Sequence, residues 1–187
     1  MIGLLGEGSS DTKMIQCLIR RITDNQRIRI ETMGCGSKGN LLKKGLRFIN
    51  ACKDQGLKYF VVCMDADGSD PEPARQAILE RVIYPAQVDA QSCCVVPVQE
   101  IEAWILADLS AVTKVFTSWK PKPHKNPEGQ ANPKEYLESL SKADNKRPRY
   151  SHQVHNEHVA KHLELSKVYQ ACPSFRPFQD FIEERLK

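Results

Sequence analysis

No apolar run in the 187 residues is long enough to cross a bilayer, so no membrane-spanning helix is expected. The opening residues, MIGLLGEG, lack the basic stretch and small-residue cleavage site of a secretory leader, and a cytoplasmic protein is the expectation. The seven cysteines include no C-x-x-C spacing, are odd in number and fall largely in apolar segments. That pattern argues against a disulfide framework or a zinc ribbon and for reduced thiols. Neither a Walker A sequence nor G-x-G-x-x-G is present, so the common glycine-rich nucleotide loops are missing. There are no internal repeats and no low-complexity tract.

What is present centres on the stretch from Tyr59 to Gly68, YFVVCMDADG. A short continuous apolar run bounded by turn residues suits a strand buried on both faces, and ligands gather at the carboxyl ends of such strands in open parallel sheets. The preceding chain supplies two more strands, Met1 to Leu5 and Ile28 to Thr32, separated by a helix from Thr12 to Ile22 with Ser9 or Ser10 as its cap. The glycine-rich loop MGCGSKGN, containing Lys38, leads into a helix from Leu41 to Lys53. Its backbone amides could cradle a phosphate, though a plain connection fits the composition better. After the loop DADGSDPEP a helix runs from Pro73 to about Ile83, a fourth strand from Ser92 to Val98, and a short helix from Glu100 to Asp108. Four alternations of strand and helix predict an α/β fold with a mostly parallel four-stranded sheet flanked by helices. Residues 1–108 would form that domain. Residues 109–187 show no strand pattern and would form a basic loop and helical extension, with helices from Pro133 to about Ser141, capped by Asn132, Gln153 to Ala171 and Phe178 to Leu186.

Carboxylates recur where strands end. Glu7 and Asp11 follow the first strand, Asp65 and Asp67 the third, Glu100 and Glu102 the fourth. Hard carboxylate oxygens are the ligands Mg²⁺ or Mn²⁺ prefers. Like charges gathered in one place repel unless a cation neutralises them, so convergence of these acids predicts a metal. Helical spacing puts residues 100 and 102 on different faces, so one of the two would face such a site. Between Leu109 and Tyr150 there are nine Lys or Arg against four acids, giving that segment +5 and leaving −1 for the rest. Lys38, Lys120, Lys122, Lys125 and Lys134 are candidates for contact with nucleic-acid phosphates, against the plainer reading of a solvated surface.

Glu7-Gly8 with Asp11 four residues after the glutamate, then a hydrophobic strand ending Asp65-x-Asp67, resembles the Toprim domain. That domain occurs in topoisomerases, DnaG-type primases, OLD-family nucleases and small maturation ribonucleases. The stretches VPVQEIEAWILAD, NPKEYL and CPSFRPF resemble a family of small Toprim-like proteins, DUF4276, encoded beside an ATPase and suspected in phage defence. The first resemblance covers residues 1–108 and the second nearly the whole chain. Carried over by position, Glu7 would be a general acid/base or metal ligand, Asp65 and Asp67 metal ligands, and Asp11 a further ligand in the nuclease branch. Glu100 or Glu102 would complete a second site. The resemblance implies a Mg²⁺- or Mn²⁺-dependent nuclease, with nucleic acid, an ATPase and further copies of the chain as partners. No tyrosine-nucleophile domain of the topoisomerase kind and no primase zinc module is visible.

The same residues admit three rival readings. DADGS resembles the first motif of haloacid-dehalogenase phosphatases, but no later acidic pair completes it. An EF-hand is disfavoured because Gly68 stands fourth in the loop and Gln76 replaces the closing Glu. A non-catalytic Toprim-like regulatory or binding subunit is the third. Separately, His152, His155, His158 and His162 fall on one face of a continuous helix, as a polar stripe or a zinc pair, although no H-E-x-x-H is present. Trp119 and Tyr150 would stack on bases or pack under a loop.

Overall fold

The computed structural model describes residues 1–68, 70–142 and 149–187. Three charges of the basic segment, Asp144, Lys146 and Arg147, lie outside the described residues, as does Ser69 of the acidic loop. The α/β expectation holds, and the sheet is wholly parallel. Strands β1 (Ile2–Gly6), β2 (Ile30–Gly34), β3 (Tyr59–Cys63) and β4 (Ser92–Val95) are arranged in the order β2-β1-β3-β4. Pairing runs from Ile2 opposite Ile30 and Tyr59 to Gly6 opposite Gly34 and Cys63. Helix α1 (Ser9–Ile22) joins β1 to β2, and α2 (Lys38–Asp54) carries the chain back across β1 to β3. The direction of winding therefore reverses between β1 and β3, which opens a crevice beyond their carboxyl ends.

Alternation along the strands fills two cores. Ile2, Leu4, Val61, Cys63, Cys93 and Val95 meet α1 and the C-terminal helices, while Leu5, Phe60 and Val62 meet α2 and the helices after it. Residues on both sides of position 108 contribute to the first cluster, among them Trp104, Tyr150, Phe175 and Phe178. Trp104 packs edge-on against Phe175, its ring centroid 4.9 Å away, and donates its indole N–H to Ser174 Oγ. A buried aromatic cluster with its one polar atom satisfied welds the later helices to the sheet.

Several boundaries differ from the expectation, each for a local reason. β2 runs two residues further than expected, because Met33 and Gly34 still pair with Leu5 and Gly6. α1 is capped by Gly8 rather than a serine, and the Asp11 carboxylate accepts the Gly8 N–H at 2.8 Å. α3 (Pro71–Ile78) continues through a π-helical turn at Leu79–Ile83 into the short α4 (Tyr84–Ala86). Pro85 has no N–H and crowds the turn before it, and a widened turn accommodates both facts. Beyond β4 come α5 (Ala103–Ala107), α6 (Val112–Val115), α7 (Pro133–Leu140), α8 (His152–Ala160), α9 (Leu165–Ala171) and α10 (Arg176–Leu186). The single helix expected over 153–171 is thus two. Arg21 captures the carbonyls of Ala160 and Leu163 at 2.6 Å each, and Asp108 accepts the Glu164 N–H at 2.9 Å. Tertiary partners replace the helical ones at the break.

Gly45 lets α2 approach the sheet, since a Cβ there would lie 2.8 Å from Val82 and 2.9 Å from Leu5. Alanine favours a helix by up to about 1 kcal/mol, but overpacking costs about 1–3 kcal/mol. Gly45→Ala is therefore expected to lower the melting temperature by about 2–4 °C. Gly39, in the same helix with nothing within 4 Å of its Cβ position, is the control, and Gly39→Ala is expected to raise stability by about 0.5 kcal/mol. Equal effects at the two positions would mean that α2 is not held at this spacing.

Candidate metal centre

The crevice at the reversal point is where the acids gather. Glu7 follows β1 immediately, and Asp65 lies two residues past β3. The Asp65 backbone N–H donates to Glu7 Oε1 at 2.9 Å, so one side chain bridges the ends of the two central strands. The loop after β3 is clamped from its other side. Ala66 N–H donates to the Pro97 carbonyl at 2.9 Å and Gly68 N–H to Val98 at 2.8 Å, extending the β3–β4 ladder beyond its regular end.

A cavity of about 230 Å³ opens here, lined by Glu7, Asp11, Asp65, Glu102, Lys134 and His152 with backbone from Gly8 and Gly36. Its electrostatics centre on Asp65. Among the described residues no hydrogen bond reaches the Asp65 carboxylate, and desolvation, reinforced by Asp11, Glu102, Glu7 and Glu100, pushes its pKa well above the usual range. Glu7 is also raised, chiefly by burial, against the opposing pull of the Asp65 amide and Lys38. Glu102, 3% exposed, is raised mainly by burial and steadied by the Asn156 amide, which donates to its Oε1 at 2.9 Å. Asp11 divides its oxygens between the Gly8 N–H and the Ser10 hydroxyl, 3.0 Å away. It thus caps α1 and faces the cavity at once.

The other expected residues are distributed differently. Asp67 adopts a left-handed backbone conformation, φ +53°, and turns outward into an exposed ion pair with Lys38 at 2.5 Å. It stands at the rim, near enough to influence Glu7, and is not part of the cavity wall. Of the two glutamates after β4, Glu102 lines the cavity. Glu100 accepts the Lys134 N–H at 2.9 Å and meets Lys134 Nζ at 3.1 Å. This carboxylate occupies the N-terminus of α7, the role expected of Asn132, whose side chain makes no capping bond and whose φ is +50°. The ion pair outweighs burial and raises the Lys134 ammonium above its ordinary value.

Among its described residues, the basic segment does not converge on the acids. Lys120 lines a separate cavity with Asp108 and Lys167, and Lys122 and Lys125 are exposed on the loop. Lys134 alone of the four reaches the site, as a partner of the carboxylates. The glycine-rich loop spends its Cys35 and Gly36 amides on the carbonyls of Gly6 and Glu7, and its Ser37 hydroxyl caps α2. Those groups brace the end of β1 and are not turned to a phosphate.

The histidine stripe is broken because α8 ends at Ala160, leaving His162 beyond it. His155 packs against Phe116 and Tyr150 and accepts the Ser151 N–H at 2.9 Å. His152 enters the acid cavity with Nδ1 3.2 Å from Glu138 Oε1. Trp119 and Tyr150 are buried and pack edge-to-face, 6.4 Å between centroids, which settles them under the loop. The Tyr150 hydroxyl donates to Asn156 Oδ1, completing a buried chain Tyr150–Asn156–Glu102. Nothing in the sequence signals Asn156, a polar residue in a helix whose neighbours are also polar.

Among the described residues, no three His, Cys, Asp or Glu side chains stand close enough together to hold a metal ion. The carboxylates surround the cavity without closing on a point, as mutual repulsion requires. The donors themselves, hard oxygens with Asp65 left unsatisfied, fit Mg²⁺ or Mn²⁺ better than a soft metal.

No curated protein and no solved structure matches this chain. One family does, over residues 6–183, a span that takes in every acid of the cavity together with Lys134, His152 and Asn156. The chain belongs to the family described as a domain of unknown function, DUF4276.

Proposed function

We propose that the acid cavity binds a divalent cation and that the protein is a Mg²⁺- or Mn²⁺-dependent nuclease acting on phosphodiesters. The observation that carries this reading is the Asp65 carboxylate, placed among four other carboxylates with no hydrogen bond of its own among the described residues. A group so placed is stabilised by taking up a proton or a cation. Its position at the reversal point of a parallel sheet is where such folds bind ligands. The resemblance to the Toprim arrangement, with Glu7 after the first strand and Asp65-x-Asp67 after the third, supports the same assignment and adds an ATPase partner and phage defence as its context.

Asp65 would take the ion first, and Glu7, Glu102 and Asp11, which in this arrangement stand too far apart to share it, would draw in once the ion relieves their repulsion. When bound, it would polarise a phosphoryl oxygen and acidify a water. The chain's own groups set the rest. The Asp65 amide and Asn156 fix Glu7 and Glu102 in place. Lys134, pinned by Glu100, presents a positive charge on the cavity wall opposite the developing negative charge of a phosphodiester. The Asp67–Lys38 pair at the rim is exposed and free to exchange one partner for a phosphate.

Two measurements test this. Purified protein incubated with mixed single- and double-stranded DNA and RNA is expected to cleave at least one of them with Mn²⁺ or Mg²⁺. Asp65→Ala should slow cleavage by about 100-fold or more, as expected when several kcal/mol of metal-borne stabilisation is lost. If wild type and variant bind nucleic acid or a partner alike and neither cleaves, the binding-subunit reading replaces this one.

The second measurement is pH-dependent. Asp65 has a folded pKa above its unfolded one, so the protein is destabilised as pH rises through that folded value. In metal-free buffer Asp65→Asn is expected to raise the melting temperature at pH 8 by about 2 °C or more, and to change it little near the ordinary carboxyl range. Mn²⁺ must displace the proton, so its affinity for wild type should increase from pH 6 to pH 8. A pH-independent affinity would rule Asp65 out as a ligand.

A further inference from the structure

At the opposite end of α1 and α8 lies a second polar cavity, of about 250 Å³, lined by Cys17, Arg20, Arg21, Gln26, Glu157 and Lys161. Helix α1 begins at the acid cavity, and ten residues along it, about 15 Å further on, Arg20 and Arg21 line the second cavity. The two concavities are therefore separate, and a role for the second is independent of the nuclease reading.

The three cations of this cavity are unequally committed. Arg21 is structural, since its two terminal nitrogens hold the Ala160 and Leu163 carbonyls at 2.6 Å each. In doing so it covers carbonyls at the C-terminal end of α8 that would otherwise repel an anion. Lys161 is loosely paired with Glu157, at 3.7 Å, with about half of its side chain exposed. Arg20 has no hydrogen bond or ion pair among the described residues, and its Nε is buried without a partner. A buried guanidinium N–H left unpaired is costly. Glu157, the one acid on the wall, is paired with Lys161 instead. The wall carries three positive charges and one negative, a surplus of two. Cys17 adds no charge, because burial holds its thiol above the usual range.

We propose that this cavity binds a phosphate group, received by the Arg20 guanidinium and Lys161, with Gln26 as a neutral donor. A surplus of two positive charges matches a phosphate dianion, and a planar arginine fork beside a lysine is the usual pairing for its oxygens. The binding is an equilibrium without covalent change. The group could belong to a free phosphate or phosphomonoester, or to a nucleic-acid backbone, and the two sources are separable.

The test uses the full chain labelled with ¹⁵N and follows the arginine Nε–H resonances during titration with inorganic phosphate. Chloride at matched ionic strength is the control, and a short single-stranded oligonucleotide is the second ligand. Arg20→Lys, which keeps the charge and removes the fork, identifies the Arg20 resonance and serves as the variant. Saturable movement of that resonance with phosphate is expected in the wild type, with binding, followed in wild type and variants alike through the backbone amides of Arg21 and Gln26, about tenfold or more weaker in Arg20→Lys and also weaker in Lys161→Ala. Asp65→Ala should bind phosphate as wild type does, whatever becomes of its nuclease activity. Movement with the oligonucleotide alone assigns the site to a backbone phosphodiester, and movement with phosphate assigns it to a free phosphate or monoester. No saturable movement with either ligand, or movement equal to that with chloride, overturns the proposal. So does unchanged affinity in Arg20→Lys.

Discussion

The structure depends on β1 and β3 lying side by side and parallel, with carboxylates just beyond both carboxyl ends. Parallel pairing brings Gly6 level with Cys63, so the residues after one strand must sit against the residues after the other. Here Glu7 meets the Asp65 backbone. The amide hydrogen bond to Glu7 converts a repulsive juxtaposition of two acids into an ordered one, because a charge-assisted bond to an N–H is about twice as strong as a neutral one. It relieves Glu7 in part but does nothing for the Asp65 carboxylate, which faces Asp11, Glu102, Glu7 and Glu100 without a donor among the described residues.

The second half of the chain answers that imbalance. Glu102 is buried deeply enough to need a partner, and Asn156 of α8 provides it, backed by Tyr150. Glu100 is taken up by the backbone and ammonium of Lys134 at the start of α7. Each acid arriving from β4 is thus matched by a donor from the C-terminal helices, and those helices are held to the sheet by the Trp104, Phe175 and Phe178 cluster. Positioning of the acid cavity and burial of the core are one event, which explains why a single hydrophobic cluster spans residues on both sides of position 108.

Much of this was legible in the sequence, and the rest has identifiable physical reasons for being hidden. Runs such as YFVVC announce a buried strand, and acids immediately after such runs announce their own location, since a strand end in a parallel sheet has only one place to be. The order and spacing of Glu7, Asp11 and Asp65 were readable on those grounds. Asp67 was not, because one residue in the left-handed region turns its side chain from the wall to the rim. The expected Asn132 cap and the expected four-histidine face failed for another reason. Both assumed that local preference decides, whereas Glu100 from a distant turn caps α7 and Arg21 from α1 ends α8. The basic segment misled because a count of charge along the chain does not say which way the loop carries it.

The distribution of compensation among the acids also bears on what the cavity is for. A purely structural acidic cluster would be expected to satisfy every member, since an unpaired buried charge costs more than its removal would. In this protein Glu7, Asp11, Glu100 and Glu102 all have donors, and Asp65 among the described residues has none for its carboxylate. The scaffold spends six separate hydrogen-bonding groups on the surrounding acids: the Asp65, Gly8 and Lys134 amides, the Lys134 ammonium, the Ser10 hydroxyl and the Asn156 side chain. It leaves the central carboxylate open toward a cavity wide enough for an ion and its waters. An arrangement that fixes the neighbours and frees the centre is what a ligand-binding carboxylate requires and what a structural one does not.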